Sequence, residues 1–186
     1  HLGFFHSTNK DDIIFQTTGR ATGLFANVDE TQRWGIETTL RGHIDKIDWF
    51  TAYSYLEASF EDNFNVLSPN HPFADDNGEI FVRAGDRIPG LPKHNFKIGA
   101  DYYFNEKVSL GVDLSYNSNQ VIRGDESNQI DKLNGYSITN LRGRYRFNEH
   151  LEFFARINNV FDKDYESFGL LGEEPSEVDV PLFANF

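Results

Sequence analysis

The chain has 186 residues and carries 17 Lys and Arg against 29 Asp and Glu, a net charge of −12, which phosphates would repel, so a general nucleic-acid binder is excluded. It contains no Cys, which removes disulfides, thiolate nucleophiles and Cys-ligated zinc. Its aromatic content of 15 % is foreign to disordered acidic chains. No run of about 18 apolar residues occurs, so no transmembrane helix is expected. The opening His1-Leu2-Gly3-Phe4-Phe5 has no secretory-signal pattern and starts in mid-alternation, as if the sequence continued upstream.

Period-two alternation recurs along most of the chain and predicts strands. The first covers roughly 2–16. Strands over 24–42 and 47–60 follow, joined by a four-residue loop at His43–Lys46. That register sets Gly42 against Ile47, Leu40 against Trp49, Thr38 against Thr51, Ile36 against Tyr53 and Trp34 against Tyr55, with Arg41 opposite Asp48. A long polar connection then runs over 61–93.

Strands over 94–104 and 108–120 come next. Phe96, Ile98, Ala100, Tyr102 and Phe104 alternate with polar or small residues, and after Asn105-Glu106-Lys107 the pattern resumes with Val108, Leu110, Val112, Leu114 and Tyr116. Directly opposed residues of an antiparallel pair share a face. A three-residue loop pairs Phe104 with Val108, Tyr102 with Leu110, Ala100 with Val112, Ile98 with Leu114 and Phe96 with Tyr116, so one face is wholly apolar. A two-residue loop would set Leu110 against Asp101 and Leu114 against Lys97, mixing the faces.

Another polar connection covers 119–134, and strands over 135–147 and 151–161 close the series. The turn Asn148-Glu149-His150 repeats the earlier Asn-Glu turn and pairs Phe147 with Leu151, Tyr145 with Phe153, Gly143 with Ala155 and Leu141 with Ile157. The other face carries Arg142, Arg144, Arg146, Glu152 and Arg156, with Phe154 as an apolar exception. Arg146 falls opposite Glu152. Arg142 falls opposite Arg156 and needs an acidic neighbour or water.

Short turns at 43–46, 105–107 and 148–150 thus alternate with long connections at 17–23, 61–93 and 119–134 and a tail from Phe161. Long irregular connections are unusual in a compact soluble domain and normal on the outer rim of an outer-membrane barrel. The row Phe96–Phe104 spans eight steps, roughly 27 Å along the strand and roughly 21 Å when tilted by about 40°, close to the ~25 Å apolar band of such barrels. Aromatics at the ends of the rows form the expected girdles. The alternatives are a passive porin-like barrel and a soluble β-sandwich, whose apolar faces would pack on one another.

No nucleotide-binding loop, HExxH, nucleophile elbow or triad spacing is present, so no enzyme activity, catalytic residue, metal site or cofactor is assigned. His71 and His94 are read as polar loop or rim residues. Asp75-Asp76-Asn77-Gly78-Glu79 lacks EF-hand spacing and is read as an ordinary turn. Arg123-Gly124-Asp125 is read as a chance tripeptide.

Asn158-Asn159-Val160-Phe161-Asp162-Lys163-Asp164-Tyr165 resembles the N-x-F-D-K-x-Y signature of TonB-dependent outer-membrane receptors. Gly35-Ile36-Glu37, Tyr53-Ser54-Tyr55-Leu56-Glu57-Ala58 and Arg87-Ile88-Pro89-Gly90-Leu91-Pro92-Lys93-His94 resemble successive strand entries of the same family. Arg123–Asn128 and Lys132-Leu133-Asn134-Gly135-Tyr136 resemble a late loop and strand entry. The resemblance implies an all-β, antiparallel, up-and-down segment of about seven strands. These belong to a ~22-stranded barrel with a plugged lumen. Residues 1–186 would be the C-terminal portion of that barrel, with the plug, the TonB box and the final strand lying outside this sequence. It further implies active uptake of a scarce nutrient such as a ferric siderophore, energised by the TonB complex, in contact with outer-membrane lipid and lipopolysaccharide. Arg83, Arg87, Arg123, Arg142, Arg144 and Arg156 are the candidate substrate-binding residues, on loops or in the lumen; the bland role for the strand arginines is pairing with plug and barrel carboxylates.

Overall fold

A computed structural model describes residues 1–17 and 23–172. Nine strands are present among them: β1 Leu2–Thr17, β2 Gly23–Ile44, β3 Ile47–Phe60, β4 Phe64–Leu67, β5 Glu79–Val82, β6 His94–Tyr103, β7 Val108–Asn117, β8 Tyr136–Arg146 and β9 Glu152–Ile157. Seven form one antiparallel sheet in the order β1-β2-β3-β6-β7-β8-β9. The sheet is open, with β1 and β9 each bonded to one neighbour. The strands β4 and β5 make a separate hairpin inside the long connection 61–93, where no element was expected.

Two hairpins have the expected register. Tyr102 pairs with Leu110 and Ile98 with Leu114; Tyr145 pairs with Phe153 and Leu141 with Ile157. The repeated Asn explains the matching turns. The Asn105 carboxamide oxygen accepts from the N–H groups of Lys107 and Val108 at 2.8 and 2.9 Å, and that of Asn148 from His150 at 2.8 Å. Each side chain thus replaces a backbone turn partner.

The β2–β3 register differs from expectation. Ile44 pairs with Ile47, so Leu40 meets Thr51, Ile36 meets Tyr55, Arg41 meets Phe50, and His43 rather than Arg41 meets Asp48. The loop has two residues, not four, because Asp45 adopts a left-handed backbone (φ 52°) that reverses the chain in the tighter turn. The His43 Nδ1–Asp48 Oδ1 contact of 2.7 Å sits beside the closure. A shift of two residues keeps every side chain on its expected face, so the apolar row survives the error. Strand β9 also stops before 161: Asn159 and Asp162 take φ of 50° and 47°, and the Asn159 side chain brackets Lys163.

The apolar rows do not pack on one another. Leu40, Ile98, Leu110, Val112, Leu141, Phe153 and Ile157 are all exposed. A sandwich would have buried them. The buried core lies instead at the long-loop rim, where Val28, Phe60, Val66, Ile80 and Val82 are each at most 3 % exposed.

Candidate functional site

On the polar face, β6, β7, β8 and β9 bring Asp101, Gly111, Arg142 and Arg156 into one row. Arg142 reaches across β7: its Nε and Nη2 donate to Asp101 at 2.8 and 2.7 Å, and its Nη1 donates to Asp113 at 2.8 Å. Gly111 is required for that reach, since a Cβ there would collide with the Asp101 carboxylate and the Arg142 guanidinium. The acidic neighbours demanded by the Arg142–Arg156 pairing are therefore Asp101 and Asp113.

Arg144 and Arg146 share Glu152 at 3.5 and 3.6 Å. The Arg144 guanidinium also lies 5.9 Å from the Tyr103 ring centroid. Arg156 is exposed beside Phe154, and together with Arg142 and Arg144 they line an open depression of ≈ 410 Å³ on this face.

The long loops are joined by buried polar contacts. Ser68 Oγ donates to the Gly124 carbonyl at 2.6 Å. His71 Nδ1 accepts the Phe73 N–H at 3.1 Å, which leaves Nε2 to carry the proton and donate to Asp125 Oδ1 at 3.0 Å. The Asp125 carboxylate also accepts from Gln129 N, Ile130 N and Ser127 Oγ. Asn128 bonds both the N–H and the carbonyl of Arg87 at 3.0 Å. The segment after β9 joins the same body, with Arg123 N donating to Gly169 and Leu171 N donating back to Arg123.

Two loop carboxyls are perturbed. Burial pushes Glu126 up to about 6, against the opposing bonds from backbone N–H groups. The Glu79 and Asn77 N–H groups hold Asp75 below the usual carboxylate range, which is the capping of an ordinary turn.

The six predicted arginines are dispersed. Arg83 is exposed next to the β4–β5 hairpin, its guanidinium 5.6 Å from the Phe81 ring centroid. Arg87 is buried, with Nε 3.3 Å from Glu57 and Nη2 donating to the Leu91 carbonyl. Arg123 is exposed over Phe168, again at 5.6 Å. The row Arg142, Arg144 and Arg156 is brought together as described.

His94 stays at the rim, against the Tyr53 hydroxyl at 2.8 Å. His71, read as a polar loop or rim residue, lies in the long loop between β4 and β5, but buried: its side chain is 0 % exposed and that of its partner Asp125 1 %. The Asp of the Arg123-Gly124-Asp125 tripeptide is thus an internal organiser of the loops. Sequence reasoning missed Ser68, His71, Asp125 and Asn128 because their partners lie 41 to 56 positions away across irregular connections. Asp101 and Asp113 carried a signal, since both fall on the face opposite the apolar row.

The polar face thus carries paired and free charge, and the sequence matches a known family. The family model described as TonB dependent receptor-like, beta-barrel matches residues 1–160. The chain belongs to this family. Barrels of this family are outer-membrane proteins of Gram-negative bacteria. The chain is 28 % identical over 168 residues to the ferric-pyoverdine 358 receptor of Pseudomonas putida, covering 84 % of this chain and 18 % of that protein. In structure it is similar to the siderophore receptor PiuA from Acinetobacter baumannii, with a TM-score of 0.65 at 21 % identity over 92 % of this chain and 24 % of that one. It is equally similar to the copper transporter OprC, with a TM-score of 0.65 at 16 % identity over 91 % of this chain and 24 % of that one. The chain therefore spans about a fifth to a quarter of each of these proteins, and at such identities the structural likeness speaks for the fold alone.

Proposed function

We propose that residues 1–186 form the C-terminal portion of the barrel wall of an outer-membrane receptor. The receptor imports a scarce nutrient, a ferric siderophore foremost, with energy delivered by TonB to a plug encoded outside this sequence. The observation that carries this reading is the two-faced sheet. An apolar face crosses β2 to β9, with Leu40, Ile98, Leu110, Val112, Leu141, Phe153 and Ile157 exposed and Thr51 and Thr139 interspersed, and its reverse carries the Arg142–Asp101–Asp113 network. Lipid is the cover such a row needs, and a polar lumen is the usual reverse of an outer-membrane barrel.

Aromatics occupy both ends of the row. Tyr102 and Phe104 meet edge to face at 4.7 Å, and Tyr145 and Phe153 stack at 6.4 Å, on the short-turn side; Trp34 and Tyr55 lie 5.2 Å apart on the long-loop side. The ferric-pyoverdine receptor relative supports the choice of cargo. Substrate enters from the long-loop rim, where Arg83 and Arg123 are exposed, and passes the lumenal Arg144 and Arg156. Arg87 and Arg142 hold the wall through Glu57, Asp101 and Asp113, and Arg144, although it shares Glu152 with Arg146, stays half-exposed on the lumenal face. The acidic surplus suits loops bathed in divalent-cation-bridged lipopolysaccharide.

The test is growth of a strain deleted for the whole receptor, and of the same strain carrying it on a plasmid, on ferric pyoverdine, ferric catecholates, copper or cobalamin as the limiting source. Complementation on a ferric siderophore, lost when TonB is deleted, is expected. Complementation on another source alone, or independence from TonB, rejects the siderophore-receptor reading.

A further inference from the structure

Beyond β9 the chain turns back over the wall it has just left. Tyr136, Asn140 and Arg142 lie at even steps along β8 and share its polar face. Asn159 and Asp162 take left-handed φ of 50° and 47° and reverse the chain. The Asn159 N–H donates to the Asn140 carboxamide oxygen at 3.0 Å. The Asn159 side chain closes the turn on Lys163, accepting from its N–H at 3.0 Å and donating to its carbonyl at 2.9 Å. Tyr165 then lies on Tyr136, with ring centroids 4.7 Å apart. Further on, the Ser167 carbonyl accepts from Gln120 Nε2 at 3.0 Å, and Leu170 forms a parallel bridge with Arg123. Residues 159–171 thus cross back over β8 to the connection that follows β7.

What holds this segment is polar and sparse. Phe161, Tyr165 and Phe168 are 77, 46 and 58 % exposed, so little apolar area is buried. Segments of that kind open locally at a fraction of the global unfolding free energy. Its first anchor, by contrast, is tied into the wall. Asn140 Nδ2 donates to Asp113 Oδ2 at 2.7 Å, and Asp113 Oδ1 accepts from Arg142 Nη1 at 2.8 Å. The other two guanidinium nitrogens of Arg142 are on Asp101. The Asn140 carboxamide has two unlike ends. With Nδ2 on Asp113, its oxygen meets the Asn159 N–H; turned by half a rotation it would set donor against donor. Arg142 thus orients Asp113, and Asp113 orients the amide. Tyr165 and Ser167 also border an open depression of ≈ 590 Å³ in the polar face, together with Ser54, Lys97 and Ser115.

We propose that residues 159–171 form a releasable strap across the polar face at the long-loop rim, and that the Arg142–Asp113–Asn140 relay is its catch. A group that draws Arg142 away from Asp113 frees the Asn140 amide to turn, and the strap then loses its bond at Asn159. The two orientations of the amide are the two-state element that such coupling requires. The coupling is reciprocal: a released strap leaves Asn140, and through it Asp113 and Arg142, less firmly held. Release also opens one side of the depression that Tyr165 and Ser167 border. The device depends neither on the cargo nor on TonB.

The experiment is amide hydrogen exchange on the complete protein in lipid bilayers, with the β6 and β7 amides as internal reference. Asn140→Ala should speed exchange of the 160–171 amides roughly fivefold relative to that reference, as loss of one hydrogen bond does. Arg142→Gln, two links away from the strap along the relay, should speed the same amides by a similar factor. Arg146→Gln, on the same face of β8 but paired with Glu152, should leave them at the parental rate. The double variant Asn140→Ala/Arg142→Gln should be no faster than Asn140→Ala alone, because both act through one catch. Parental exchange in Asn140→Ala overturns the proposal. So does parental exchange in Arg142→Gln, or an additive gain in the double variant, since either removes the relay. Equal acceleration of strap and reference amides shows a loosened wall instead of a released strap and overturns it as well. No ligand enters these measurements, so the siderophore-receptor reading stands or falls apart from them.

Discussion

At the polar face, one glycine decides how an arginine is used. Gly111 lets the Arg142 side chain cross β7, and the guanidinium then meets two carboxylates with all three of its donor nitrogens. In the loops, burial replaces pairing as the governing effect. Glu126 is only 5 % exposed and accepts from the Gly124 N–H, yet its carboxyl is raised from 4.5 to about 6 because desolvation outweighs that bond. A raised carboxyl binds its proton more tightly in the folded loop than in the unfolded one. Stability is therefore full below about pH 4.5 and falls as pH rises through 6, by about 2 kcal/mol at most. Glu126→Gln keeps an acceptor for Gly124 and removes the charge. Hydrogen exchange of the 124–127 amides in the complete receptor should slow in this variant at pH 8 and match the parent at pH 4.5. An equal change at both pH values would show that burial of the charge is not the cause.

At the scale of strands, register follows from whichever constraint is local. The 105–107 and 148–150 hairpins were legible because a one-residue slip would turn Asp101 or Lys97 into the apolar row of the first, and Arg142 or Arg144 into that of the second. The β2–β3 hairpin was not fully legible. Slips by two leave faces unchanged, and only the left-handed Asp45 selects the tight turn. The β7–β8 pairing could not be read either, because an irregular connection separates the strands and no turn geometry fixes their register; with it was lost the Arg142–Asp113 contact. The β4–β5 hairpin was missed for its shortness, four residues a strand, and because its apolar side is covered by residues from β1, β2 and β3 that sequence spacing does not bring together. The apolar row itself makes a direct prediction. Val112→Arg and Leu114→Arg place a charge in mid-row and should each cost about 2–4 kcal/mol of membrane-folded stability if the row faces lipid. Urea-dependent unfolding of the complete receptor in bilayers reads this. Parental stability of both variants would mean that something other than lipid covers the row.

For the whole molecule, the division between two rims is the feature that organises the fold. Short turns at 45–46, 104–107 and 147–151 lie on one rim, and the elongated β1–β2 tips, the β4–β5 hairpin and the buried His71–Asp125 contact lie on the other. Segments from 61–93, 118–135 and 158–171 are hydrogen-bonded into one body, so the long connections present one shaped surface rather than independent loops. Such a body faces outward if the receptor reading is right, and labelling decides that. The insertion sites follow from exposure and bonding. Asn77 lies at the exposed tip of the β4–β5 hairpin, and Lys132 is exposed beyond the Asp125 network. Ser127, although central in its loop, is 4 % exposed and bonded to Asp125, so an insertion there would report on misfolding. Epitope tags at Asn77 and Lys132 of the complete receptor should be labelled on intact cells. Tags at Glu106 and Glu149, both exposed in the short turns, should be labelled only after the outer membrane is permeabilised. Labelling of all four on intact cells would place both rims outside, which no membrane-spanning arrangement of these strands allows, because each of β2, β3, β6, β7 and β8 runs from one rim to the other.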